Sequence, residues 1–248
     1  MNSVDSVLEE LKQLASSISR DDLRKLVLEL LEEPKLSFSD AKPLINLLES
    51  PAAPRKHHLF PRGLLLHTLA VTKLALAIAR IVEEVYGVEV DRDIVVASSI
   101  LHDLYKVFQY EPDPVNGGYR PRSDWYLSHD YALVAELAAR RVDEKLIRVC
   151  SEVHGTAPIT TVEGLIVHLA DSVDARLGEL LQNQALARAK EVEALHGCKH
   201  VLLVIEAMKR HGIQTILRLA TSSPSDLRNL LESICIEQKQ STTSQQPS

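Results

Sequence analysis

Four of the ten histidines in this 248-residue chain, His67, His102, His129 and His154, fall 35, 27 and 25 residues apart. Asp103 follows His102 directly, and Asp171 lies 17 residues beyond His154. Imidazoles with carboxylates suit Mn, Fe, Ni or Zn, and Mg where carboxylates dominate. The separations are too long for a zinc finger. They suit ligands delivered singly by successive helices of a bundle. Taken alone, each histidine reads more simply as a hydrogen-bonded core residue. Their joint pattern with Asp103 and Asp171 favours a metal centre.

Other polar groups cluster around this set. Lys106 stands one turn beyond Asp103, where it can meet a phosphate oxygen or face solvent. His168 and Asp174 flank Asp171 at three-residue spacing and can hydrogen-bond a ligand. The loop RKHHLFPR brings Arg55, Lys56, His57, His58 and Arg62 ahead of His67. It is a local basic cluster suited to phosphate, or an ordinary solvated loop. Arg120 and Arg122 flank a loop that could close over the pocket. His57 stays outside the expected ligand set. So do His196 and His200, because Gly197 marks a helix boundary between them.

Helices must carry these residues. Residues 4–16 repeat apolar positions at helical spacing, and Ser19 with Asp22 reads as the start of a second helix. A shorter helix is expected over 40–49. The stretch PAAPRKHHLFPRG at 51–63 then breaks the pattern. Leu64 to Tyr86 reads as one helix, apolar on more than one face and so central, stopped by Gly87. Asp91 opens a helix through about Lys106, putting His102-Asp103 near its end. A helix terminus lets two adjacent side chains turn toward one point. Residues 109–127 read as irregular or a hairpin, marked by Asn116-Gly117. Helices follow from Ser128 to about Arg141, over 143–153, from 161 to about 194 with Thr160 and Glu163 as capping box, over 198–211 and over 224–237. The expected architecture is all-α, with an N-terminal helical arm (1–50), a main domain (51–238) and a disordered tail (239–248).

Composition narrows the function. The chain is 45% hydrophobic and 25% charged, enough for a sizeable core, and its net charge of −6 does not suggest a nucleic-acid binder. No apolar run is expected to reach bilayer-spanning length, and the acidic amphipathic start is unlike a secretory signal. A cytoplasmic protein without a membrane partner is expected. Cys150, Cys198 and Cys235 are odd in number and widely spaced, suggesting neither a disulfide framework nor a CxxC zinc site.

Five segments occur in order across residues 57–176: HHLFPRGLLLHT, SSILHDLYKVF, YLSHDYA, SEVHG and IVHLADSVDAR. They resemble the HD-domain metal-dependent phosphohydrolases, and locally the HD domain of bacterial 3′–5′ exoribonucleases. The resemblance covers roughly half the chain. It implies an HD-domain helical bundle holding one or two divalent ions (Mn, Fe, Ni, Zn or Mg). One ion would take His67, His102, Asp103 and Asp171. A second would take His129 and His154, with Asp103 as the bridge. Two departures stand out. Val153-His154 replaces the two consecutive histidines of many two-metal relatives. Tyr105 replaces a glycine and is expected to narrow the pocket. Helices stand where the exoribonucleases carry an OB domain.

The expected activity is metal-dependent hydrolysis of a phosphoester in a nucleotide or nucleic-acid end. Asp103 and Lys106 would serve the chemistry. Arg55, Lys56, His58, Arg62 and Arg122 would bind substrate, and His168 and Asp174 would support ligands. Two other readings remain: a 3′–5′ exonuclease on single strands, and a catalytically weak nucleotide-sensing module. The N-terminal helices could pack on the core or form a homo-oligomer interface.

Overall fold

A computed structural model describes residues 4–243. Within it, eleven helices and one short hairpin make an all-α fold. The helices begin with α1 (Val4–Ser16), α2 (Asp21–Glu32), α3 (Gly63–Tyr86), α4 (Arg92–Leu101) and the single turn α5 (Lys106–Gln109). Strands β1 (Tyr110–Pro112) and β2 (Tyr119–Pro121) pair antiparallel around the Asn116-Gly117 turn. Then come α6 (His129–Ala139), α7 (Glu144–Val153), α8 (Val162–His196), α9 (His200–His211), α10 (Ile213–Ser222) and α11 (Pro224–Thr243).

The core runs through the molecule in three patches. Leu11, Val27 and Leu30 of the first two helices, with Ile18 between them, share one patch with Leu64, Ile100, Leu101 and Phe108. Val71, Ala75 and Ala79 of α3 meet Val167 and Ala170 of α8 in the second. The far half of α8 packs with α9, α10 and α11 in the third. Helix α3 is long and apolar enough to cross a bilayer by length and composition. This corrects the expectation that no run reaches that length. Its most extensive packing is against α4 and α8, and it carries buried Thr68 and Thr72 as well as His67.

Several other expectations change. Residues 40–49 form turns, not a helix: Pro43 removes a donor, and Asn46 Oδ1 accepts the Glu49 N–H at 2.9 Å. The cap of α8 is Thr161, whose hydroxyl accepts from the Gly164 N–H. Ser19 does not cap α2; its hydroxyl donates to Asp93 Oδ2 at 2.6 Å, tying the first helices to α4. Helix α10 was not foreseen, because a single residue, Gly212 at φ +85, separates it from α9. Helix α11 continues to Thr243, so 239–243 of the expected tail is helical. Extending a packed helix through Gln and Lys residues is favourable once its first turns exist. Residues 244–248 lie outside the described residues. Cys198 and Cys235 form a disulfide, because the fold brings their Cα atoms to 6.0 Å across 37 residues of chain. Cys150 is free and buried.

Candidate metal centre

Helix α4 ends at Leu101, and residues 102–105 form a turn before α5. The turn resolves the geometric problem of adjacent ligands. His102 and Asp103 leave the helix and both point inward, at 1% and 0% exposure. His67 lies one turn into α3, His129 is the first residue of α6, His154 caps the end of α7, and Asp171 sits within α8. Six ligand candidates thus come from five places along the chain.

Their donor atoms converge in two groups. His67 Nε2 lies 3.2 Å from Asp103 Oδ2, 3.1 Å from Asp171 Oδ1 and 3.4 Å from His102 Nε2. His102 Nε2 is 3.6 Å from Asp103 Oδ2 and 3.7 Å from Asp171 Oδ1. Around the other oxygen, Asp103 Oδ1 is 3.1 Å from His129 Nε2 and 3.3 Å from His154 Nε2, which are 3.2 Å apart. Donors about 2.1 Å from an ion are separated by about 3.0 Å at octahedral angles and about 3.4 Å at tetrahedral angles. The second group has these dimensions; the first has them around His67 and is slightly wider at His102, at 3.6 and 3.7 Å, and Asp103 offers one oxygen to each.

The outer nitrogens point the same way. His67 Nδ1 is 2.6 Å from Asp174 Oδ2, His102 Nδ1 is 2.8 Å from the Ser99 carbonyl, and His129 Nδ1 is 2.9 Å from Gln109 Oε1. Each partner is an acceptor, so Nδ1 carries the hydrogen and Nε2 turns a lone pair inward. Asp103 Oδ1 is buried with no hydrogen-bond partner among the described residues. Carboxylate and imidazole lone pairs therefore face one another, and positive charge placed between them, a proton or a metal ion, relieves it. The residues fit a divalent ion on this ground.

Protonation of the metal-free site shows the same demand. Burial opposes charge on His67, but Asp103, Asp171 and Asp174 outweigh it and hold the imidazole protonated well above its usual range. Burial also opposes charge on His154, yet Asp103 and Asp171 raise it to about 9. Burial would raise Asp103 and Asp171 too. Lys106 and His102 instead hold Asp103 well below its ordinary value, and His102, His154 and His67 do the same for Asp171. Desolvation keeps His129 neutral, down to about 4, and His57 down to about 3.

A cavity of about 570 Å³ opens over the second group, lined by Arg55, Lys56, His57, Lys106, His129, His154 and Asp171. Lys106 is buried and ion-paired with Asp103. Asp174 supports His67 as described, and His168 bonds the Val153 carbonyl at 2.7 Å, fixing the chain beside His154. Three expected substrate contacts lie elsewhere. His58 is buried behind His67, packed so tightly on α8 that a Cβ at Gly178 would lie 2.2 Å from its ring. Arg62, at φ +71, lines a separate cavity beside α9. Arg122 bonds Asp124 and the Lys42 carbonyl, closing a loop away from the cavity. Tyr105 does not narrow the pocket. It is fully buried, its hydroxyl donating to the Lys35 carbonyl at 2.7 Å. Sequence reasoning missed Gln109, which orients His129, and left aside His57, whose only signal was its place beside His58. The group His57, His58 and His67 could also gather around an ion. His67 Nδ1 is committed to Asp174, so we assign none there.

A family model described as "HD domain" matches residues 64–176. A dihydroneopterin 2′,3′-cyclic phosphate phosphodiesterase of Methanocaldococcus jannaschii is 33% identical over 213 residues, spanning 83% of this chain and 85% of the relative. The chain belongs to the HD-domain family. As a member it is a phosphohydrolase, and its histidine and aspartate groups are able to bind metal. The 3′-5′ exoribonuclease YhaM of Bacillus velezensis is 27% identical over 76% of this chain, which spans 59% of that enzyme. YhaM of Bacillus subtilis is 31% identical over 60% of this chain and 49% of its own length. No solved structure gives a significant match.

Proposed function

We propose that this HD-domain chain is a phosphodiesterase of two divalent ions that opens a small phosphodiester, such as a 2′,3′-cyclic phosphate on a nucleotide-like alcohol. The observation that carries the reading is the pair of ion cages sharing Asp103 beneath a cavity rimmed by Arg55 and Lys56. Neither rim cation has a carboxylate partner among the described residues. Both are free to meet a phosphate. A volume of about 570 Å³ suits a nucleotide-sized ligand. The net charge of −6 works against a long polyanion. The M. jannaschii relative, named for a cyclic phosphate substrate, supports the same choice.

Bound ions would supply an acidified water and draw charge from the phosphoryl oxygens. The imidazole-rich cages favour Mn, Fe, Ni or Zn over Mg. His67, His102, Asp103 and Asp171 hold one ion; Asp103, His129 and His154 hold the other. Arg55 and Lys56 bind the phosphate and orient it toward Asp103. Lys106 neutralises Asp103 before loading, and its ammonium is then available to the substrate.

The Mn²⁺-loaded protein should hydrolyse 2′,3′-cyclic nucleotides, and His102→Ala and Asp103→Ala should fall to background. Unchanged turnover in either variant would reject the assigned site. The exoribonuclease relatives favour a second reading, trimming of single-stranded 3′ ends. Shortening ladders on labelled RNA, without cyclic-nucleotide turnover, would establish it instead.

We also propose a homodimer through α8. Val162, Leu165, Leu169, Val173, Leu177 and Leu180 follow one helix face and are each 38–57% exposed. They bare on the order of 500 Å², near the upper end for a lone monomer. Ile81, Val85 and Tyr86 of α3, which packs on α8, are exposed as well, and a standard interface buries roughly 800 Å² per partner. A straight apolar stripe is self-complementary about a two-fold axis. Sedimentation should give a dimer for the native chain and a monomer for Leu169→Glu with Val173→Glu. A monomeric native chain would refute it.

A further inference from the structure

The segment RKHHL, residues 55–59, belongs to no helix or strand. It nevertheless forms part of the wall of the cavity over the metal centre, through Arg55, Lys56 and His57. Backbone without a ladder of its own hydrogen bonds keeps one conformation only where side chains and packing fix it. The conformation here is also a costly one. His58 stands in the left-handed region, at φ +48. For a residue with a Cβ this is strained backbone, and it persists only where the surroundings over-determine it.

Helix α8 supplies those surroundings. Asp174, Gly178 and Gln182 follow one another at four-residue spacing, so they share one face, and all three are buried. Each meets the segment differently. Asp174 Oδ2 lies 3.7 Å from His58 Nε2. Gly178 leaves room for the His58 ring. Gln182 is wholly buried, and its amide bonds only the backbone of the segment. Its Nε2 donates to the Arg55 carbonyl at 3.1 Å and to the Lys56 carbonyl at 3.3 Å. Its Oε1 accepts from the Leu59 N–H at 2.9 Å. One side chain thus ties both ends of the segment to a helix 123 residues further along the chain.

The same helix holds the metal centre. Asp174 bonds His67, and Asp171 stands among the ligands. Gln182 lies about 12 Å along the helix from Asp174, at 1.5 Å per residue. One rigid element therefore sets the position of the ion cages and of the rim cations together. An amide fixes a backbone more sharply than an apolar contact does, because its donors and its acceptor are all directional. Arg55 and Lys56 then reach toward the cages from fixed backbone positions before any phosphate arrives. Preorganisation of this kind lowers the ordering cost of binding.

We propose that Gln182 is a positioning residue for phosphate binding: its amide fixes the 55–59 segment so that Arg55 and Lys56 meet the phosphate as a pair. Gln182 does not line the cavity and touches neither substrate nor ion. It acts through the two cations. The inference rests on the phosphodiesterase reading of the rim and extends it to a residue outside the cavity.

Gln182→Met keeps the length of the side chain and removes all three hydrogen bonds. On the Mn²⁺-loaded protein, KM for adenosine 2′,3′-cyclic phosphate should rise about tenfold or more while kcat stays within about threefold, since only binding common to ground and transition states is lost. Bound metal should stay at the native count. The deciding comparison uses a chain with Arg55→Ala and Lys56→Ala. These two changes should raise KM as well, and adding Gln182→Met to them should alter KM by less than about twofold, because residues acting as a unit are not additive. A Gln182 that serves stability alone would multiply the two effects. Multiplied effects, a single-variant KM within twofold of native, or a loss of kcat or metal in place of the KM rise would overturn the assignment. Gln182→Glu, which reaches at most one of the two carbonyls with a hydrogen, replaces the methionine variant should that fail to fold, and is read the same way. A native chain that leaves the compound intact would reject the phosphodiesterase reading alone. Calorimetry with adenosine 2′-monophosphate then decides the positioning role. A Kd raised tenfold by Gln182→Met, and raised no further where Arg55 and Lys56 are already alanine, upholds it. No binding by the native chain, or unchanged binding by the variant, overturns it.

Discussion

Replacing Asp174 by Asn tests how the first ion cage is held. Asp174 Oδ2 lies 2.6 Å from His67 Nδ1, and both side chains are nearly or wholly shielded, at 7% and 0% exposure. Asn keeps the shape and one acceptor oxygen but removes the charge. A buried hydrogen bond to a charged group contributes about 1.5–3 kcal/mol. Losing such a support to a metal-binding histidine typically weakens the metal 10–100-fold, about 1.4–2.8 kcal/mol. The two ranges agree, so Asp174→Asn should raise the Mn²⁺ Kd of the cage that holds His67 by 10–100-fold. Titration calorimetry on the metal-stripped protein measures it directly. Because Asp174 does not line the cavity, kcat should recover largely at saturating Mn²⁺. A folded variant whose Mn²⁺ Kd stays within twofold of native would refute the claim that Asp174 orients His67. A kcat that stays low at saturation would show that it touches the chemistry.

Three further outcomes are expected. His129→Ala should lower metal content from two ions per chain toward one, read by elemental analysis, because only the second cage uses it. Asp93→Asn should lower Tm above pH 4. Burial would raise that carboxyl, but hydrogen bonds from the Ser19 hydroxyl, Ser19 N–H and Arg20 N–H outweigh it and hold it below its usual 3.8. A depressed carboxyl stabilises the fold above its unfolded pKa and loses that effect as pH falls through the folded one. The Tm difference should therefore vanish in acid, and a constant difference would contradict it. Thiol titration should find no reactive group in the native chain, since Cys150 is buried with its thiol pushed up to about 12 and the other two cysteines are bonded. One thiol should appear on denaturation and three after reduction.

The ligands were legible because they are rare residue types in apolar surroundings. His67 in LLLHT and His102 in SILHD have no inexpensive place in a core unless something binds them. Helix α3 and its stop at Gly87 were equally plain, since periodicity and a terminal glycine are local signals. Gln109 was not legible. It follows an ordinary apolar run, and its use depends on α5 turning it toward His129. Arg62 and Arg122 show the reverse error. Both neighbour the site in sequence, but a left-handed residue at 62 and the Asp124 pair at 122 point them elsewhere.

The sequence by itself determined the helical class, the order of the ligand-bearing segments and the residue types able to hold an ion. These follow from local periodicity, capping and the chemistry of single side chains. The tertiary structure alone decided which oxygen of Asp103 faces which histidines, which nitrogen each imidazole turns inward, and that Tyr105 belongs to the core. It also decided that Cys198 meets Cys235, and that Gln182 holds the loop of Arg55 and Lys56. Each of these depends on distances between segments far apart in the chain. Packing sets those distances, and no local pattern encodes them.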